Sequence, residues 1–188
     1  MPAQELNTVE ARRGQARLVS LMEAHFDFVW RSLRRLGLSD PDADDGAQEV
    51  FLVASRKLAQ IVLGSERQFL FATAVRIAST RRRSLKRRRE EPLTTVEEQE
   101  ERSAPGPDRL TEMSRARQDL QEILDGMSFE QRSAFISFEL EEMTVPEIAS
   151  ALGVPPGTVS SRLRAAREHF QTAIQRLQAQ RAFAKVRP

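Results

Sequence analysis

The chain contains no cysteine, a single tryptophan, two histidines and only 8 glycines in 188 residues. Without cysteine there is no disulfide, no thiolate nucleophile and no cysteine-ligated zinc. The two histidines, His25 and His169, lie near opposite ends of the chain, so neither a metal nor any other cofactor is expected. Long apolar runs are missing too. None approaches the roughly 18 residues that a membrane-spanning helix needs, and the opening MPAQELNTVEARRG has no apolar core of signal-peptide length. A cytoplasmic protein with no membrane insertion is the expectation. No glycine-rich phosphate loop and no nucleophile elbow occurs either, which removes two common routes to catalysis.

What is present is ordinary in amount and uneven in placement. The composition is 40% hydrophobic and 30% charged, that of a globular chain. Lysine plus arginine exceed the acids by only two, for a net charge of +2. The pI of about 9.6 comes from an excess of arginine over lysine, and its distribution says more than its total. Between Arg81 and Arg89 the sequence reads RRRSLKRRR; directly after it comes EEPLTTVEEQEER, then SAPGPD with two prolines and a glycine. Residues 90–107 therefore read as an acidic flexible linker between two small domains.

Both domains are helical by pattern. In the first, Leu18, Leu21, Met22, His25, Phe26, Val29, Trp30, Leu33 and Leu36 recur every three or four residues, and Gly37 follows as a C-terminal cap. After the turn SDPD a second stripe runs from Ala43 through Val50, Phe51 and Ala54 to Ile61. A third begins near Glu66 and carries Phe69, Leu70, Phe71, Ala74, Val75, Ile77 and Ala78 straight into the arginines. In the second domain Leu110 to Met127 gives one stripe. Ser128 with Gln131, and Thr144 with Glu147, then announce two helix starts as capping boxes. Gly153 breaks the chain, and a further helix opens at Pro156. An all-α protein of two small helical domains follows, with boundaries at 18–89 and 108–175, an N-terminal extension over 1–17 and a tail over 176–188.

Three constellations could carry chemistry. The segment VPEIASALGVPPGTVSSRLR has Ala149 where two helices approach, Gly153 at the turn, and Val159 and Leu163 to pin the second helix. That is the pattern of a helix-turn-helix, which would leave Thr158, Ser160, Ser161, Arg162 and Arg164 for a DNA major groove. A plain helical hairpin would use the same packing residues but has no need of so many donors on one helix. The arginine cluster reads as a solvated basic tail or as a contact to nucleic-acid backbone, and its continuation from the helix of Phe69 and Phe71 favours the second. Those two phenylalanines themselves read as core more than as platforms for stacked bases. Asp44, Asp45, Gln48 and Glu49 suit the electrostatics of a helix N-terminus. They make a poor catalytic pair, since no histidine or metal ligand accompanies them. No enzymatic activity is expected.

The segments HFDFVWRSLRRLG, DADDGAQEVFLVASRKL and FLFATAVRIASTRRRSLKRRR, in that order, resemble the sigma-2 domain of extracytoplasmic-function sigma factors of the sigma-70 family. MSFEQRSAFISFELEEMTVPEIASALGVPPGTVSSRLRAAREHF resembles their sigma-4 domain, with the second domain's helix-turn-helix inside it. The resemblance implies a transcription initiation factor that binds the core of RNA polymerase, at the beta-prime clamp and the beta flap, and reads promoter DNA. An anti-sigma factor is a further partner it allows. By position, Asp45, Gln48 and Glu49 would face the polymerase clamp. Arg76, Arg81, Arg82 and Arg83 would contact the minus-10 element, with an unpaired base held near Leu63 to Gln68. Thr158, Ser160, Ser161, Arg162, Arg164 and Arg167 would contact the minus-35 element. Gly46, Phe69 and Thr80 depart from the residues usual in the family. A helix-turn-helix regulator that recruits no polymerase is the other reading, and it would call for a receiver or ligand domain with strands in the first half.

Overall fold

The computed structural model describes the backbone of residues 2–90 and 112–186 and the side chains of residues 12–84 and 115–182. Every regular element among them is helical: α1 (Pro2–Arg35), α2 (Asp40–Arg56), a 3-10 turn (Leu58–Gln60), α3 (Glu66–Glu90), α4 (Glu112–Asp125), α5 (Phe129–Phe135), a π-helical turn (Ile136–Leu140), α6 (Val145–Leu152) and α7 (Pro156–Val186). Apart from Glu90, the linker expected over 90–107 lies outside the described residues.

The helix boundaries follow from local chemistry. Gly37 takes φ +95° at the end of α1, a conformation that costs glycine little, and Leu38 N–H donates to Leu33 O at 3.2 Å to close the turn. Ser39 then caps α2, accepting from Asp42 N–H at 3.3 Å. One departure from the sequence reading concerns length: helix α1 begins at Pro2 and not near Leu18, so the expected N-terminal extension is part of the helix. Helix α7 runs on to Val186, so the tail extends the last helix, and Arg181 in it pairs with Asp119 of α4.

The first lobe packs α1, α2 and α3 around Val29, Leu33, Leu36, Val50, Leu70 and Phe71, all nearly inaccessible. Gly46 belongs to this packing: a Cβ there would meet Leu33 Cδ1 at 3.1 Å, so the glycine that weakens α2 also lets α1 approach it. Phe71 is buried, as the sequence suggested, and Phe69 packs against the core from its edge. In the second lobe α5 and α6 rest on α7 through Ala134, Ile136, Ile148, Val159 and Ala166. The lobes touch where α3 meets α6, and their buried residues form one continuous core. That seam brings Arg76 and Arg83 of α3 into one cleft with Arg162 of α7.

Candidate nucleic-acid and protein interface

Helix α2 sorts its acids by partner. Asp44 accepts from the indole N–H of Trp30 at 2.7 Å and is thereby tied to α1. Asp45, Gln48 and Glu49 sit one helical turn apart on the outward face and are exposed. Leu52 continues that face at 57% exposure while its neighbours Val50, Phe51 and Ala54 are buried. Sequence reasoning passed over Leu52. The available signal was an apolar residue out of phase with the buried stripe, which places an exposed apolar side chain beside a polar patch.

The candidate minus-10 arginines on α3 have four different environments. Arg81 turns back onto α2, 3.5 Å from Asp42, 3.9 Å from Asp45 and 3.4 Å from Glu49, so it joins residues that the sequence assigned to two separate surfaces. Arg82 lies over the ring of Phe129 at 5.1 Å. Arg83 is held by Ser79, donating to its hydroxyl at 2.9 Å and less closely to its carbonyl. Arg76 reaches across the seam and donates to Ala151 O at 3.3 Å. The loop ahead of α3 exposes Val62 and Leu63 at 68% and 79%, and Gly64 takes a positive φ within it. Arg17 braces that loop from α1, donating to Leu58 O at 3.1 Å and to Ile61 O at 2.6 Å. No local pattern signals this brace, because the contact spans more than forty residues.

The helix-turn-helix geometry is present in α6 and α7. Thr144 donates its N–H and its hydroxyl to the Glu147 carboxylate at 2.8 and 2.7 Å, starting α6. Those bonds hold the Glu147 carboxyl below its ordinary pKa, the backbone donor contributing most. Gly153 ends α6 at φ +66°, and Val159 and Leu163 bury one face of α7 against it. On the other face Ser160, Ser161 and Arg164 are exposed, with Thr158 and Arg162 partly covered. Arg167 is already occupied, bonded to Glu139 at 2.7 Å and lying over Phe138.

At the seam one carboxylate is nearly enclosed. Glu141, with a 4% exposed side chain, follows the π-helical turn and lies 2.6 Å from Arg67 and 3.6 Å from Arg35. Desolvation by burial raises its pKa more than the two arginines lower it, and burial likewise lowers that of Arg35 against the pull of Glu141. Around this group Gln68 donates to Glu147 at 2.8 Å, and Arg132 lies buried between Asp125 and Gly37. No cluster of three potential metal-ligating His, Asp or Glu residues occurs among the described residues. Nor is any described helix long and apolar enough to cross a membrane.

Residues 117–170 match the family described as Sigma-70, region 4, which covers α4 through the first half of α7. The ferric citrate uptake sigma factor FecI of Escherichia coli is 32% identical over 152 residues, covering 80% of this chain and 86% of that protein. The ECF RNA polymerase sigma factor SigE of Mycolicibacterium smegmatis is 29% identical over 154 residues, 80% of this chain but 59% of SigE. Two solved structures share the fold at 19% identity. The sigma factor RpoE of Bartonella quintana, in complex with the anti-sigma factor NepR, has a TM-score of 0.64 over 82% of this chain and 94% of its own. CnrH, in complex with the cytosolic domain of CnrY, has a TM-score of 0.58 over 86% and 89%.

Proposed function

The chain belongs to the extracytoplasmic-function group of the sigma-70 family, and on that premise we propose that it directs RNA polymerase to promoters without catalysing a reaction itself. The observation that carries this reading is the outward face of Asp45, Gln48, Glu49 and Leu52 on a helix whose opposite side is fully packed. Such a face suits a charged partner helix, here the clamp of the polymerase core. A regulator that recruits no polymerase has no use for it, and the first lobe has helices where a receiver domain would have strands.

The two lobes divide the promoter between them. Residues 18–89 take the minus-10 element, with α3 supplying Arg76, Arg82 and Arg83 and the braced Val62–Leu63 loop standing next to the opened strand. Residues 108–175 take the minus-35 element through the first turns of α7 and dock on the beta flap. Arg162 and Arg164 are the strongest candidates there, because Arg167 is engaged by Glu139. The protein would work in the cytoplasm, where the polymerase is. The anti-sigma factor NepR bound to RpoE supports a partner of that kind for this chain as well.

The deciding experiment is a pull-down with purified core polymerase, using the double variant Asp45→Lys/Glu49→Lys. Core binding should fall at least tenfold while the helical circular dichroism is kept. Undiminished binding by a folded double variant would remove α2 from the interface.

A further inference from the structure

The seam between the lobes encloses a cleft of about 410 Å³, lined on one side by α3 and on the other by α5, α6 and α7. Three arginines point into it: Arg76 and Arg83, two turns apart on α3, and Arg162 from α7. Their situation differs from that of the arginines near the seam that carry ion pairs. Arg35 and Arg67 share Glu141, Arg132 has Asp125, and Arg81 has Asp42, Asp45 and Glu49. Arg76, Arg83 and Arg162 have no carboxylate within ion-pair distance among the described residues, and the one acid in the lining is the exposed Glu130. The hydroxyls of Ser79, Thr80 and Ser133 also line the cleft, but Thr80 and Ser133 already donate to backbone carbonyls. The guanidinium groups are therefore its main donors.

The remaining wall is apolar: Val75, Phe129, Ala151, Leu152 and Val154. Guanidinium donors from both sides of the cleft, set among apolar and aromatic side chains, suit a ligand with a phosphate group that both sides can hold and a flat, weakly polar body. Guanidinium groups bind phosphate in fork geometry, and an aromatic face accepts a stacked ring. The volume lies within the roughly 300–1,000 Å³ usual for small-molecule sites. Two of the three arginines are partly fixed before any ligand arrives, Arg83 by Ser79 and Arg76 by Ala151 O, which reduces the ordering cost of binding.

We propose that this cleft binds a phosphorylated small molecule of nucleotide size and that the bound ligand holds the two lobes together. The consequence is regulatory and rests on the function proposed above. Arg76, Arg83 and Arg162 are candidates for promoter contacts in two different elements, so the cleft's ligand and promoter DNA compete for the same cations. A ligand that binds only the closed seam shifts the population toward it in proportion to its concentration over its Kd.

The test is calorimetric titration of the full chain at physiological salt with nucleoside diphosphates of each common base, and with inorganic pyrophosphate and a free nucleoside as comparators. At least one diphosphate should bind one-to-one and at least tenfold more tightly than pyrophosphate or the nucleoside. Ala151→Met, which fills the cleft from the apolar wall, should weaken that binding tenfold or more. Glu130→Gln, at an exposed position, should tighten it severalfold by removing the opposing charge. Equal binding of pyrophosphate and diphosphate with no effect of Ala151→Met would reveal a diffuse basic surface and overturn the proposal, as would the absence of saturable binding to the wild type. If Ala151→Met does not fold, an unchanged affinity in Glu130→Gln is by itself contrary evidence. Both variants should still support promoter-directed transcription in the absence of the ligand. Loss of ligand binding alone therefore bears on the cleft, and loss of transcription bears on the function.

Discussion

Arg81 and Glu141 each sit at the centre of a charge cluster, in opposite surroundings. Around Arg81 three carboxylates compete for one guanidinium, and those of Asp42, Asp45 and Glu49 are 37%, 69% and 52% exposed. Around Glu141 two guanidiniums share one carboxylate that is 4% exposed. Water solvates the first cluster and screens its attractions, so its members can exchange one partner for another at little cost. Burial makes the second a commitment, because the carboxylate gives up hydration that two arginines only partly replace. The difference matches what each cluster is asked to do. On the function proposed above the exposed acids on α2 would be available to another protein, whereas Glu141 ties the second lobe to Arg35 and Arg67 of the first.

The largest effect should come from breaking the buried side at Gly37. A Cβ there would lie 2.5 Å from Arg132 Nη1, and φ is +95°, a conformation that strains any L-residue. Gly37→Ala should therefore lose roughly 1–3 kcal/mol to strain, and more because the buried Arg132 has to move. At about 2–4 °C per kcal/mol for a chain of this size, the strain alone should lower the melting temperature by roughly 2–12 °C, and the displacement of Arg132 should lower it further. Gly64→Ala separates the two causes. Gly64 has φ +86° with nothing within 4 Å of an added Cβ, so only the strain should appear. Equal losses at both glycines would mean that Arg132 does not press on the seam.

The pH dependence of Glu141 should come next. A carboxyl whose folded pKa is raised contributes stability that is present in full below its unfolded value and is lost as pH rises through the folded value. The wild type should thus gain stability from this group as pH falls from neutral toward 4.5, the ordinary glutamate value. Glu141→Gln should abolish that part of the slope and be no less stable than the wild type at pH 7. Glu147 has the opposite sign: its lowered pKa gives stability above 4.5 that disappears in acid. Parallel thermal melts of Glu141→Gln and Glu147→Gln between pH 4 and 7 should diverge in slope, and parallel curves would defeat the assignment of the buried carboxylate.

On the exposed side, Arg81→Ala should change stability by less than about 1 kcal/mol, the ordinary worth of surface pairs. Core polymerase binding should not weaken, because Asp45 and Glu49 lose only an internal competitor. A loss of several kcal/mol would place Arg81 in the same class as the buried seam.

The contrast between the two clusters also marks what the sequence could and could not reveal. Features written in neighbouring residues were readable: Thr144 and Glu147 at the start of α6, Gly153 between α6 and α7, and the outward phase of Asp45, Gln48 and Glu49. Each rests on spacings of one helical turn or less. The seam was not readable, because Glu141 with Arg67, Gln68 with Glu147 and Arg76 with Ala151 are joined across more than seventy residues. The arginine run shows the limit most clearly. In sequence it is one basic patch, yet in space Arg81 pairs with α2, Arg82 lies on Phe129 and Arg83 is held by Ser79. Periodicity also gave no warning of the π-helical turn, whose extra residue sets the phase of the chain just before Glu141.

The smallest expected effect tests packing in the first lobe, against which both clusters are built. Replacing glycine by alanine inside a helix gains about 1 kcal/mol when nothing opposes it. Gly14 in α1 meets that condition, with no atom within 4 Å of an added Cβ, so Gly14→Ala should raise the melting temperature by about 2–4 °C. Gly46 in α2 does not meet it. There the new methyl would stand 3.1 Å from Leu33 Cδ1, and Leu33 is fully buried, with no solvent to retreat into. The same propensity gain is then opposed by local overpacking, which typically costs 1–3 kcal/mol when a whole methylene must be absorbed and less when a neighbour shifts by a few tenths of an ångström. Gly46→Ala should consequently stay within about 1 kcal/mol of the wild type. A gain at Gly46 as large as that at Gly14 would show that α1 and α2 are less tightly apposed than the structure has them.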